Sequence, residues 1–84
     1  MKSTPEAPMM PYANLSGASG VRAYQISARA ISVKFGDGRV YDYSYTSAGP
    51  DKVEQMKTLA RAGQGLSTYI SQHVRDGYAS RRDP

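Results

Sequence analysis

The chain predicts an α+β fold, a three-stranded antiparallel meander with two C-terminal helices packed on one face. Three observations carry that prediction. Residues 31–45 alternate in polarity on both sides of Gly36-Asp37-Gly38, residues 50–62 switch to an apolar spacing of three to four, and Gly63 breaks that spacing before a second helical pattern.

The hairpin register follows from its loop. A two-residue Asp37-Gly38 turn would set Val33 against Asp42 and Lys34 against Tyr41, mixing charge into both faces. A three-residue Gly36-Asp37-Gly38 loop, with Gly38 in the left-handed position, sets Val33 against Tyr41 and Ile31 against Tyr43. Ile31, Val33, Phe35, Tyr41, Tyr43 and Tyr45 then share one face, and Ser32, Lys34, Val40, Asp42 and Ser44 share the other. Aromatic and β-branched cross-strand pairs of this kind stabilise a sheet by roughly 0.2–1 kcal/mol each.

Upstream, residues 21–26 read as a short strand with Tyr24 and Ile26 on one side, joined to the hairpin by Ser27-Ala28-Arg29. Residues 1–20 hold Pro5, Pro8, Pro11 and a Ser-Gly-Ala-Ser-Gly run with no sustained period, so they are expected to be a flexible arm without core residues. The ordered domain is expected over residues 21–78, and residues 79–84 as a frayed tail.

Downstream, Gly49-Pro50-Asp51 is a helix start, with proline at the first helical position and an acid facing the helix dipole. Val53, Met56, Leu59 and Ala60 form the apolar stripe of a helix over residues 50–62, and Gly63 stops it as a left-handed cap. A second helix follows over residues 65–75, its stripe being Leu66, Tyr69, Ile70, His73 and Val74. Both helices need an apolar surface, and the tyrosine face of the sheet is the one available.

Composition bounds the function. A chain of 84 residues has room for one small domain with a small core. It has no cysteine, which excludes disulfides and thiolate metal sites. The N-terminal residues have no apolar signal-like run and no window is apolar enough to span a bilayer, so a soluble, unprocessed cytoplasmic protein is expected. Lys and Arg outnumber acids 11 to 7, giving a net charge of +4, a mild bias that permits contact with nucleic acid or an acidic protein surface.

No residue pattern points to catalysis. His73, the one histidine, sits on an apolar stripe, and a partly buried ring bonded to a carbonyl or tyrosine hydroxyl accounts for it better than a metal ligand or base. The serines have no base-and-orienter partners, and Gly63-Gln64-Gly65 reads as a helix–helix turn because no Lys-Ser/Thr follows it. No cofactor, metal site or enzymatic activity is expected. Tyr41, Tyr43 and Tyr45 could stack bases, but they share their face with Ile31, Val33 and Phe35, so core packing is the expectation. Lys34, Arg39, Lys57, Arg61 and Arg75 are the candidate nucleic-acid contacts, a discontinuous patch interrupted by Asp51, Glu54 and Asp76 and extended by Arg81 and Arg82.

The order Ile31-x-Val33-x-Phe35-x-x-Gly38-x-x-Tyr41-x-Tyr43, Ala60-x-x-Gly63 and Leu66-Ser67-x-x-Ile70 resembles the KTSC domain, a small module named for the C-terminus of some lysyl-tRNA synthetases. The resemblance covers residues 21–74 and places the chain among divergent, stand-alone bacterial members. Ala48-Gly49-Pro50 stands where the family often has Val-Pro, Ala62 and Ser67 replace a serine and an asparagine, and the family's closing tyrosine is displaced to Tyr78. The family has no established activity, and RNA binding is suggested for it through the synthetase association. The resemblance therefore implies a non-catalytic binding module with RNA as the favoured partner. The alternative is a protein-interaction or structural module, including self-association, that uses an edge strand or the uncovered sheet face.

Overall fold

The structure, a computed structural model, describes residues 9–15, 17 and 19–83. It is an α+β domain in which five antiparallel strands lie in chain order, β1-β2-β3-β4-β5, with every helix inserted between β4 and β5. The strands are β1 (Met10–Pro11), β2 (Val21–Ser27), β3 (Ala30–Phe35), β4 (Val40–Ser44) and β5 (Ser80–Arg82).

The central hairpin has the register set by the three-residue loop. Val33 faces Tyr41, Ile31 faces Tyr43, and the Phe35 N–H donates to the Arg39 carbonyl at 2.9 Å across the loop. Gly38 closes the loop at φ 92°, where a side chain would be strained. Ile31, Val33 and Tyr43 are buried under the helices, while Ser32, Lys34, Val40, Asp42 and Ser44 lie on the open face.

Two strands exceed the expected three, and both come from segments assigned to the arm and the tail. Met10 pairs with Tyr24 and Pro11 with Ala23, and the next residue, Tyr12, is only 6% exposed in the core. The Tyr12 hydroxyl accepts from the Leu66 N–H at 3.3 Å, and the Leu15 N–H donates to the Gly63 carbonyl at 2.7 Å. The flexible-arm expectation is thus corrected for the described part of residues 9–20; residues 1–8, 16 and 18 lie outside the described residues. At the other edge Arg82, Arg81 and Ser80 pair with Val40, Tyr41 and Asp42, so residues 80–82 are a strand rather than a frayed tail.

The helical region opens one residue after β4. Ser44 caps α1 (Tyr45–Ala48) through a reciprocal box with Ser47, each hydroxyl accepting the other's backbone N–H at 3.0 Å. Tyr45 therefore leaves the strand face to which the alternation assigned it. Helix α2 (Pro50–Ala62) has the expected bounds, starts on Pro50, ends at left-handed Gly63 (φ 78°), and buries Val53, Met56 and Ala60. Burial of such side chains stabilises by about 1.5–3 kcal/mol each for the larger ones.

Helix α3 (Leu66–Tyr69) runs directly into a π-helical turn over Ile70–Val74, closed by the Arg75 N–H donating to the Ile70 carbonyl at 2.7 Å. Its buried residues are Leu66, Ile70 and Val74, a spacing of four imposed by the wide turn. That winding carries His73 off the apolar line. His73 is exposed, its ring 4.6 Å from that of Tyr69, which corrects the expectation of a partly buried histidine. No helix among the described residues is long and apolar enough to cross a membrane.

Candidate functional site

The helices do not cover the whole tyrosine face. Where the β3–β4 hairpin projects past the π-helical turn, a groove of about 560 Å³ remains. Its floor is Phe35, Tyr41 and Tyr43, its wall is Ile70 and Tyr78, and Asp37, Arg75 and Asp76 stand at its rim.

The aromatic lining is a run of edge-to-face contacts. Phe35 and Tyr41 lie 5.5 Å apart at 86°, Tyr41 and Tyr78 5.0 Å apart at 74°, and Tyr43 and Tyr78 6.4 Å apart at 86°. Tyr43 is core, only 2% exposed, whereas Phe35, Tyr41 and Tyr78 are half-buried and leave ring surface open to a ligand. Burial, reinforced by the neighbouring Tyr41 and Tyr78 hydroxyls, pushes the Tyr43 phenol well above its ordinary pKa. It stays a neutral donor throughout the physiological range.

Local backbone geometry builds the wall. After the π turn Arg75 adopts φ 30° and ψ −99°, a conformation that costs a non-glycine residue free energy. The Gly77 N–H then donates to the Val74 carbonyl, and a Cβ on Gly77 would lie 2.9 Å from that same oxygen. This tight reversal swings Tyr78 back over Tyr41 and Tyr43 and launches β5. Beside the groove, Arg81 is held in its charged form by Asp83, 3.4 Å away, and then by the Tyr41 hydroxyl against it.

The five basic candidates do not converge. Lys34 is exposed on the open sheet face, opposite Val40. Arg61 is exposed in the last turn of α2. Arg39 lies 3.7 Å from Asp37 and 3.6 Å from Asp83, and Arg75 stands at the groove. Lys57 is 4% exposed, its Nζ donating to the Ala28 carbonyl at 3.0 Å and to Glu54 at 2.7 Å, 5.7 Å above the Tyr45 ring. It ties α2 to the β2–β3 turn and has no surface to offer a phosphate.

The open face instead centres on Asp42. Its carboxylate accepts from the Ser32 hydroxyl, from the Ser80 hydroxyl at 2.7 Å, and from Arg82 at 2.8 and 3.2 Å. Partial burial works against ionisation, but those hydrogen bonds and the Arg82 charge outweigh it and hold the carboxyl below its ordinary pKa. Asp42 therefore clips β5 to β4. Among the described residues no group of three His, Cys, Asp or Glu side chains is placed to hold a metal ion.

Tyr78, Asp37 and Asp76 escaped the sequence reading as site residues. Tyr78 lies outside any period, and its one signal was the KTSC resemblance, in which it stands as the displaced closing tyrosine. No family model matches the chain, and no curated protein or solved structure matches it.

Proposed function

We propose that the chain is a KTSC-like, non-catalytic binding module and that its groove holds an extended peptide segment of a partner. The observation that carries this reading is the half-exposed run of Phe35, Tyr41 and Tyr78 beneath a strained, π-wound rim. Aromatic grooves of this kind take extended segments by ring packing, with rim charges and hydroxyls setting orientation. π-helical turns and strained residues concentrate at functional sites, which adds weight to this end of the molecule.

RNA is the second reading, favoured by the net charge of +4, by Arg75 and by the KTSC resemblance. Against it, the groove lining carries Asp37 and Asp76 as well as Arg75, and the remaining basic candidates are dispersed or buried. A polyanion gains little from such a surface.

The test is an amide NMR titration of the labelled chain with a proline-containing ten-residue peptide and with an oligouridine RNA, each at about 50 and about 200 mM salt. Peptide-induced shifts at Phe35, Tyr41, Arg75 and Tyr78 that change little with salt support the proposal. Shifts caused only by RNA, and lost at the higher salt, overturn it in favour of the second reading.

A further inference from the structure

We infer that the occupant of the groove is the Pro5-Glu6-Ala7-Pro8 segment of a second copy of this chain, an inference that rests on the peptide-binding reading above. A Pro-x-x-Pro stretch favours the extended left-handed polyproline conformation, which repeats every three residues and presents its prolines to aromatic-lined grooves at little further entropic cost. Phe35, Tyr41 and Tyr78 provide such a lining, each ring edge-on to the next. Pro11 is committed to β1, which leaves Pro5 and Pro8, outside the described residues, as the Pro-x-x-Pro pair of the sequence.

Charge fits the same occupant. Lys2 and Glu6 flank and interrupt the proline pair, and the groove rim offers Asp37 and Asp76 to a cation and Arg75 to an anion. A segment of mixed charge suits a rim of mixed charge better than a polyanion does.

The point of departure of the segment argues for a second copy. Met10 pairs with Tyr24, Pro11 with Ala23, and the Tyr12 N–H donates to the Arg22 carbonyl, so the N-terminal end of β1 points toward the Ser27 end of β2. The groove lies at the opposite end, where Phe35 pairs with Val21, and on the far strands of the sheet. Pro8 is two residues and Pro5 five residues from Met10, which limits them to about 7 Å and about 18 Å from it even fully extended. The groove floor on β3 and β4 lies two and three strand spacings from β1, about 10 and about 14 Å, before any displacement along the strands, so Pro8 cannot enter the groove of its own molecule. Between two copies the segment enters directly, and reciprocal insertion closes a two-fold dimer with both grooves filled.

The experiment uses the full chain. A ¹⁵N-labelled variant carrying Pro5→Ala and Pro8→Ala keeps its groove intact and lacks the proposed ligand. Adding unlabelled wild-type chain should shift its Phe35, Tyr41, Arg75 and Tyr78 amides, and unlabelled double variant should need at least tenfold more for the same shift. Absence of shifts with wild-type chain up to about 1 mM, or equal shifts with the double variant, overturns the inference. The same labelled sample then receives an unrelated Pro-x-x-Pro peptide. Shifts with that peptide and none with wild-type chain remove this inference and leave the binding reading standing, whereas no shift with either removes both.

Discussion

The backbone N–H of Leu66 donates to the hydroxyl of Tyr12 at 3.3 Å, joining residues 54 apart in the chain. That N–H belongs to the first turn of α3, where no intrahelical acceptor exists, so a side chain from the N-terminal segment caps the helix. Tyr12 thereby anchors the residues before β2 to the core, a role the composition of that segment conceals.

Removing this anchor should destabilise the domain. Tyr12→Ala is expected to cost about 3–5 kcal/mol through lost ring packing, and Tyr12→Phe about 1 kcal/mol through the lost hydrogen bond. Deleting residues 1–19 should likewise lower the melting temperature, since it removes β1 and Tyr12 together. Urea unfolding of the three variants checks the order. A deletion variant as stable as the full chain would show that the segment contributes nothing.

Gly63 and Gly49 permit a controlled comparison. Both have positive φ, 78° and 98°, but a Cβ at Gly63 would come within 2.6 Å of the Ala13 Cβ, while one at Gly49 meets nothing within 4 Å. Gly49 pairs its positive φ with ψ 143°, a combination nearly restricted to glycine, so Gly49→Ala should cost about 1–3 kcal/mol of backbone strain alone. Gly63 is left-handed helical (ψ 19°), so Gly63→Ala should cost about 1 kcal/mol of strain plus about 1–3 kcal/mol for the clash. A Gly63→Ala loss of only about 1 kcal/mol in chemical denaturation would mean that the Ala13 contact gives way freely.

Charge reversal separates Lys57 from Arg61. Lys57→Glu would place a carboxylate against Glu54 and the Ala28 carbonyl in a buried position, and a loss of about 3 kcal/mol or more is expected. Arg61→Glu changes an exposed residue and should stay within about 0.5 kcal/mol. Thermal melts of the two single variants read the difference, and similar melts would place Lys57 at the surface.

What the sequence revealed, and what it concealed, follows from the range of each signal. The Ile31/Tyr43 and Val33/Tyr41 pairing and the bounds of α2 were legible because period, loop glycines and a helix-starting proline are local. Strands β1 and β5 were not, since two and three residues are too few to show a period, and Ser80-Arg81-Arg82 buries nothing. Lys57 reads as a surface lysine until the β2–β3 turn supplies the Ala28 carbonyl from 29 residues away. The groove depended on two nonlocal facts, the π winding of the last helical turn and the Gly77 reversal that returns Tyr78 to the sheet. Tyr41 and Tyr43 were rightly placed on one face, but only the helix layer decides that Tyr43 is covered and Tyr41 is not.

The Asp42 clip makes the β5 edge sensitive to acid. Because the folded-state pKa of Asp42 lies below its unfolded value, the carboxylate contributes stability that is fully present above the unfolded pKa near 3.9. That contribution is lost as pH falls through the still lower folded pKa, where protonation removes an acceptor from Ser80 and the charge partner of Arg82. Protection of the Ser80–Arg82 amides against hydrogen exchange, relative to the β3 amides, should therefore decline in acid before the core opens. Asp42→Asn keeps the shape and removes the charge, so its β5 protection should be low already at pH 6 and should vary little down to pH 3. If wild-type β5 and β3 lose protection together, or if Asp42→Asn retains the wild-type acid response, the strand is held by backbone pairing and Asp42 does not govern it.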